Sequence, residues 1–134
     1  AKRYNHSLSI ILLDIDYFKL VNDEYGHNVG DETLISIAQI LKNSIRDTDT
    51  VGRWGGEEFM ILASETSIEN AVLLADKIRK DIEQYEFNTI GHKTSSFGVS
   101  TYHVGDTQEM LVKKADDALY MAKNKGRNRV EYVK

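Results

Sequence analysis

Arg53-Trp54-Gly55-Gly56-Glu57-Glu58-Phe59 follows Thr50-Val51-Gly52 and runs into the apolar stretch Phe59-Met60-Ile61-Leu62-Ala63. Two adjacent glycines placed in this way read as a two-residue β-hairpin turn, because glycine alone accepts positive φ at both central positions without steric cost. The missing Cβ atoms also allow a phosphate to approach the backbone. Glu57 and Glu58 follow at once, at the start of the outgoing strand. Alone, a Gly-Gly turn and a glutamate pair are ordinary structural features. They gain chemical meaning if a second acidic cluster ends another strand.

That second cluster is Asp14-Ile15-Asp16. It closes residues 7–15 (SLSIILLDI), a nearly continuous Ile- and Leu-rich run with the signature of a central strand buried on both faces. A buried carboxylate is costly unless it is paired or ligates a cation. Asp14 is therefore either a solvent-facing acid at a strand end or a cation ligand.

The rest of the chain frames these two clusters. Its 134 residues suit one domain with its own core, and 41% hydrophobic with 28% charged residues is ordinary for a globular protein. A net charge of −4 gives no electrostatic footprint for polymeric nucleic acid. With no cysteine, disulfides and thiolate metal sites are excluded, so any metal must be bound by oxygen or histidine. No signal peptide or membrane-length apolar run stands out, and a cytoplasmic location is the expectation.

Residues 1–6 are polar and unpatterned. Residues 17–25 read as a short helix stopped by Gly26, and Gly30-Asp31 as the opening of the next helix with Asp31 as N-cap. Leu34, Ile37, Ala38, Leu41 and Ile45 give residues 32–46 an amphipathic helical stripe. Ser67 caps a third helix with the stripe Ile68, Ala71, Leu74, Ala75, Ile78 and Ile82. Residues 87–94 and 96–103 read as two strands, the first a polar edge, and Gly98 marks a close approach of backbone or ligand. Thr107 or Asp106 caps a last helix ending at Lys123-Asn124-Lys125-Gly126, and residues 128–133 form a closing strand. The pattern predicts an α/β sheet covered by helices, with the antiparallel hairpin in mid-sheet.

The motifs Leu13-Asp14-Ile15-Asp16-Tyr17-Phe18-Lys19, Asn22-Asp23, Gly26-His27, Gly30-Asp31, the glycine–glutamate stretch, and Ala115-Asp116-Asp117-Ala118-Leu119-Tyr120-Met121-Ala122-Lys123 with Gly126-Arg127-Asn128 stand together in one order. This set resembles the GGDEF domain of bacterial diguanylate cyclases, in the variant with Glu57 at the aspartate position, across nearly the whole chain. The resemblance implies an α/β (α+β) fold of the nucleotidyl-cyclase and polymerase-palm kind, with a ferredoxin-like βαββαβ core and a mostly antiparallel sheet. It implies condensation of two GTP into cyclic di-GMP and two pyrophosphates, with each 3′-hydroxyl attacking the partner's α-phosphate between two facing domains. A GTP- or cyclic di-GMP-binding module without turnover is the alternative, although the residues that degenerate members lose are all retained.

The resemblance also implies roles. Asp14, the Ile15 carbonyl, Glu57 and Glu58 would hold Mg²⁺ (or Mn²⁺), whose preference for hard oxygen ligands suits them. Glu58 acts either on the metal or on the attacking hydroxyl. Lys19, Lys123 and Arg127 match triphosphate contacts, with Gly55 and Gly56 admitting the phosphates to the backbone. In isolation those cations would read as solvated surface. Asn22 and Asp31 match the guanine-binding pair, since a carboxylate accepts from adjacent N1–H and N2–H₂ donors that adenine lacks. His27 reads as structural, hydrogen-bonding within its loop.

Arg46 and Asp49 form an Arg-x-x-Asp pattern, with five residues (50–54) between Asp49 and Gly55, at the position of the family's product-inhibition site. The family opens on an Asp-x-Leu-Thr-Gly-Leu-x-Asn-Arg segment and a helix. Residues 1–134 therefore read as a single GGDEF domain cut from a longer protein, apart from its sensory and dimerising parts.

Overall fold

Strand β1 (Leu8–Ile15) is the middle of a five-stranded sheet in a computed structural model that describes residues 7–133. The unpatterned start at residues 1–6 lies outside the described residues. The remaining elements are α1 (Phe18–Tyr25), α2 (His27–Ser44), β2 (Thr50–Arg53), β3 (Glu58–Ser64), α3 (Ile68–Gln84), β4 (Ser95–Thr101), α4 (Gln108–Asn124) and β5 (Val130–Val133). The sheet order is β2-β3-β1-β4-β5, antiparallel except for the β4–β5 pair. Its first four strands have the order of the expected βαββαβ core. The hairpin lies at one edge of the sheet rather than in mid-sheet. β1, apolar on both faces, sits centrally, whereas β2 is mostly exposed and suits an edge.

Alternation along β1 divides the core. Ile11, Leu13 and Ile15 join a large cluster with residues of α1, α2 and α3. Ile10 and Leu12 face the opposite side and meet Leu111, Ala115 and Leu119 of α4. Helix α4 reaches the sheet through Gly98. A Cβ there would overlap Ala115 O and the Leu119 backbone, so the close approach expected from sequence is made by the helix's own main chain. That contact fixes where the last turn of α4, and hence Lys123, stands over the sheet.

Three local expectations are corrected. Helix α2 begins at His27, directly after Gly26, which ends α1 and precedes α2 with φ of 91°. Asp31 thus lies inside the helix and caps nothing. Gly30 serves packing instead: a Cβ there would overlap Asn22 Oδ1. His27 opens α2 on the surface and makes no hydrogen bond within a loop among the described residues.

Residues 87–94 are not a strand. Phe87 and Gly91 exchange two main-chain hydrogen bonds (2.8 and 3.1 Å) around a turn whose Thr89 and Gly91 have φ of 73° and 77°. Left-handed residues end an extended run, and only β4 follows, buried throughout its length. Ser67 and Thr107 cap α3 and α4 as expected, accepting from Asn70 N at 3.2 Å and Met110 N at 3.1 Å.

Candidate active site

Two acids of the site are placed by strand register. Asp14 at the end of β1 lies directly opposite Glu58 at the start of β3, and paired residues project to the same face. Glu57 is the last residue of the connecting loop. That face is the one α4 covers, and Lys123 Nζ stands 2.5 Å from Asp14 Oδ2. Asp14 is only 2% exposed. Burial pushes its carboxyl up to about 6; the Lys123 ammonium opposes this, and the Glu57 and Glu58 charges reinforce it.

The turn before Glu58 differs from the expected two-residue form. Residues 54–57 connect β2 to β3, and neither Gly55 nor Gly56 adopts left-handed φ. Instead Glu58 O accepts from Trp54 N (2.7 Å) and Gly55 N (3.3 Å), which closes the loop without positive φ. Arg53 braces it by donating to Gly56 O, its guanidinium 5.7 Å from the Phe59 ring centre. A Cβ at Gly56 would meet nothing within 4 Å, so the loop backbone is open to a ligand.

Does this set fit a divalent cation? Asp14 Oδ1 is buried without a hydrogen-bond partner, which marks unused acceptor capacity in a carboxylate. No three His, Cys, Asp or Glu side chains are gathered into a ready cage among the described residues. A divalent cation held by one or two carboxylates completes its shell with phosphate oxygens and water, and a buried carboxylate with a free oxygen suits that. The residues fit.

Asn22 on α1 and Asp31 on α2 lie on two helices that pack together. Asn22 packs on Gly30, and the adjacent Asp31 is exposed at the mouth of a cavity of about 420 Å³, shared with Leu34, Ile35, Ala38, Arg53 and Phe59. Lys19 is exposed in the first turn of α1. Arg127, with φ of 65°, holds its guanidinium 4.6 Å from the Tyr17 ring centre and 3.8 Å from Asp16. Sequence reasoning assigned no role to Asp16, Tyr17 or Asn128, although all three lie within the motifs it singled out.

Arg46 and Asp49 lie elsewhere, beside Ser64 at the far end of β3, about 20 Å from Glu58 for a strand of this length. Arg46 donates to both Asp49 oxygens (3.3 and 3.1 Å), to Ser64 O (2.5 Å) and to Thr66 Oγ1 (2.9 Å). Those bonds to Asp49 push the guanidinium up. Burial, the largest influence on Asp49, opposes ionisation, yet the Arg46 side chain and the Arg46 and Ser64 N–H groups together hold it below its ordinary value. The pair borders a cavity of about 240 Å³ with Ser44, Thr66, Asn70 and Leu74.

Comparison with known proteins bears on the family and the fold. A family model described as "Diguanylate cyclase, GGDEF domain" matches residues 1–129. Diguanylate cyclase A of Treponema denticola is 43% identical over 132 residues, covering 96% of this chain and 36% of that protein. The chain therefore spans about a third of that relative's length. The active GGEEF domain of a diguanylate cyclase from Vibrio cholerae superposes with a TM-score of 0.93 at 41% identity, covering 100% of this chain and 87% of that one. The GGDEF domain of DgcB from Caulobacter crescentus, solved in complex with c-di-GMP, gives a TM-score of 0.91 at 28% identity, covering 95% and 78%.

Proposed function

The chain belongs to the GGDEF family of diguanylate cyclase domains, and we propose that it condenses two GTP into cyclic di-GMP and two pyrophosphates across a site shared with a second GGDEF domain. The observation that carries this reading is Asp14 facing Glu58 across β1–β3 with Lys123 against the same carboxylate. Acids and a cation are thereby gathered at one end of the sheet, beside a loop with open backbone.

Each 3′-oxygen forms a bond to the α-phosphorus of the other GTP while the α–β phosphoanhydride bond breaks. The hydroxyl proton is lost and pyrophosphate departs with the bond electrons. Asp14, the Ile15 carbonyl, Glu57 and Glu58 are the groups that would hold Mg²⁺ or Mn²⁺, which supplies Lewis-acid neutralisation of phosphate charge when bound. Lys123, Arg127 and Lys19 bind and orient the triphosphate. Gly55 and Gly56 let it lie against the loop, and Asn22 with Asp31 binds the guanine edge. GTP supply places the reaction in the cytoplasm; among the described residues no helix is long and apolar enough to cross a membrane. In the full-length protein a sensory or dimerising domain would bring the two sites together.

Chromatography after incubation with GTP and Mg²⁺ tests the reading. Cyclic di-GMP with two equivalents of pyrophosphate is expected; bound, unchanged GTP would leave only a binding module. Asp31→Ala and Asn22→Ala should each lower GTP affinity on the order of 10–100-fold and narrow the preference over ATP, because a hydrogen bond to the guanine edge is lost. Equal binding of GTP and ATP by the unmutated chain, measured by calorimetry, would sink the guanine assignment.

Product feedback is assigned to Arg46 and Asp49. A guanidinium fork suits phosphate and guanine edges, and the pair's distance from Glu58 separates inhibition from chemistry. Arg46→Ala should leave the uninhibited rate within about twofold, as expected for an exposed substitution remote from the reacting atoms, and should relieve inhibition by cyclic di-GMP. Undiminished product binding in that variant would refute the assignment.

A further inference from the structure

The structure assigns to Asp16, with Asn128, the work of positioning Arg127 for the triphosphate. Asp16 is 1% exposed and directly follows β1, two residues after Asp14. Its Oδ1 accepts from Ser96 Oγ at 2.6 Å; its Oδ2 accepts from Thr94 Oγ1 at 2.6 Å and from Asn128 N at 3.0 Å. With both oxygens engaged, this carboxylate has little capacity left for a cation. It differs in that from Asp14, whose Oδ1 has no partner.

What Asp16 holds is a strained turn. Gly126, Arg127 and Asn128 are three consecutive residues at φ of 127°, 65° and 48°, a conformation that costs non-glycine residues and persists only when neighbours enforce it. Arg127 N closes α4 on Ala122 O (2.9 Å), and Phe97 N bonds Arg129 O (2.9 Å) where β5 begins. Between those anchors, the Asp16–Asn128 N bond pins the turn to the end of β1. The Asn128 side chain fastens it laterally, accepting from Arg79 Nη1 (3.1 Å) and donating to Glu83 Oε2 (3.0 Å), both on α3.

Arg127 is consequently bounded on two sides, by the Tyr17 ring and by Asp16. Tyr17 is itself left-handed at φ of 59°, on the residue joining β1 to α1. One buried carboxylate thus sets the height of the turn and helps aim the cation it carries. A guanidinium so restrained loses little side-chain freedom when it binds phosphate.

This rests on Arg127 contacting the triphosphate. The test uses 3′-deoxy-GTP, which lacks the attacking hydroxyl and cannot turn over, and compares its affinity with that of GMP by calorimetry. Arg127→Ala should collapse the preference for the triphosphate; if it does not, the role proposed for Arg127 fails, whatever Asp16 does. Given that collapse, Asp16→Asn should reduce the preference about tenfold, the size of one charge-assisted hydrogen bond lost, with GMP affinity held. Asn128→Gly tolerates the left-handed backbone and keeps the N–H to Asp16 while cutting both ties to α3. It should show the same selective loss in a protein of near-native stability, which covers the case in which Asp16→Asn folds poorly. In an Arg127→Ala background neither substitution should reduce triphosphate preference further. Equal losses for GMP and 3′-deoxy-GTP, or full losses in the Arg127→Ala background, would reduce both residues to general structural support and overturn the inference.

Discussion

Glu58→Gln should lower turnover at least 10²–10⁴-fold, the range lost when a positioned acid or base is removed, while GTP binding changes little. The carboxamide keeps the side chain's size and removes only its charge, so a change in rate reports chemistry rather than packing. Glu58 sits opposite Asp14, and β3 begins with it, so the substitution leaves the pairing Leu13↔Phe59 beneath it intact. Glu57→Gln should be about as damaging, for a separable reason. If Glu57 serves chiefly as a cation ligand, raising the Mg²⁺ or Mn²⁺ concentration recovers part of the lost rate. If Glu58 acts on the attacking hydroxyl, excess metal recovers nothing in its variant. Near wild-type synthesis of cyclic di-GMP by either protein would remove that residue from the reaction. Full metal rescue of Glu58→Gln would leave Glu58 a ligand alone, with no part in activating the hydroxyl.

The legible parts of the fold and site were those set by long-range apolar patterning and by local motif. The double-faced run of residues 7–15 could only be a central strand, and the stripes of α2 and α3 demanded a sheet face to cover. What escaped was decided by particular contacts, near and far in sequence, that neither periodicity nor motif encodes. Gly30 followed by an acid resembles a helix start, yet the glycine is needed inside α2 because Asn22 packs on it. The Gly55-Gly56 turn resembles a two-residue hairpin, but Glu58 O gathers two N–H groups and lengthens the connection. Residues 87–94 carry enough β-formers to suggest a strand, and Thr89 and Gly91 turn left-handed within it. Asp16 was hidden for the same reason. Its partners Thr94, Ser96 and Asn128 lie 78 to 112 residues away, and nothing local distinguishes it from the ligand-like Asp14.

Specific activity of this chain should rise with its own concentration, and fusion to a parallel coiled coil should raise it much further. One chain carries a single set of the proposed groups: Asp14, Glu57 and Glu58 for the phosphate, Lys123 and Arg127 for the triphosphate, Asn22 and Asp31 for one guanine. No second set stands among the described residues, so the second GTP is expected to arrive on another copy. Two reactants held in line can gain on the order of 7–11 kcal/mol of barrier lowering from orientation alone. Free domains must assemble that geometry at each encounter, against the translational and rotational cost of association. A short tether replaces the encounter with an effective concentration of roughly millimolar, against the micromolar protein of an ordinary assay, so a gain of 10²–10⁴-fold is within reach without any new contact. The chain alone should therefore be mainly monomeric in dilute solution, bind GTP with Mg²⁺, and form product at an initial rate close to second order in protein. Light scattering and product chromatography on the same samples check this. A high, concentration-independent specific activity from a species of monomer mass would show that one domain completes the reaction by itself, and the shared site would have to be abandoned.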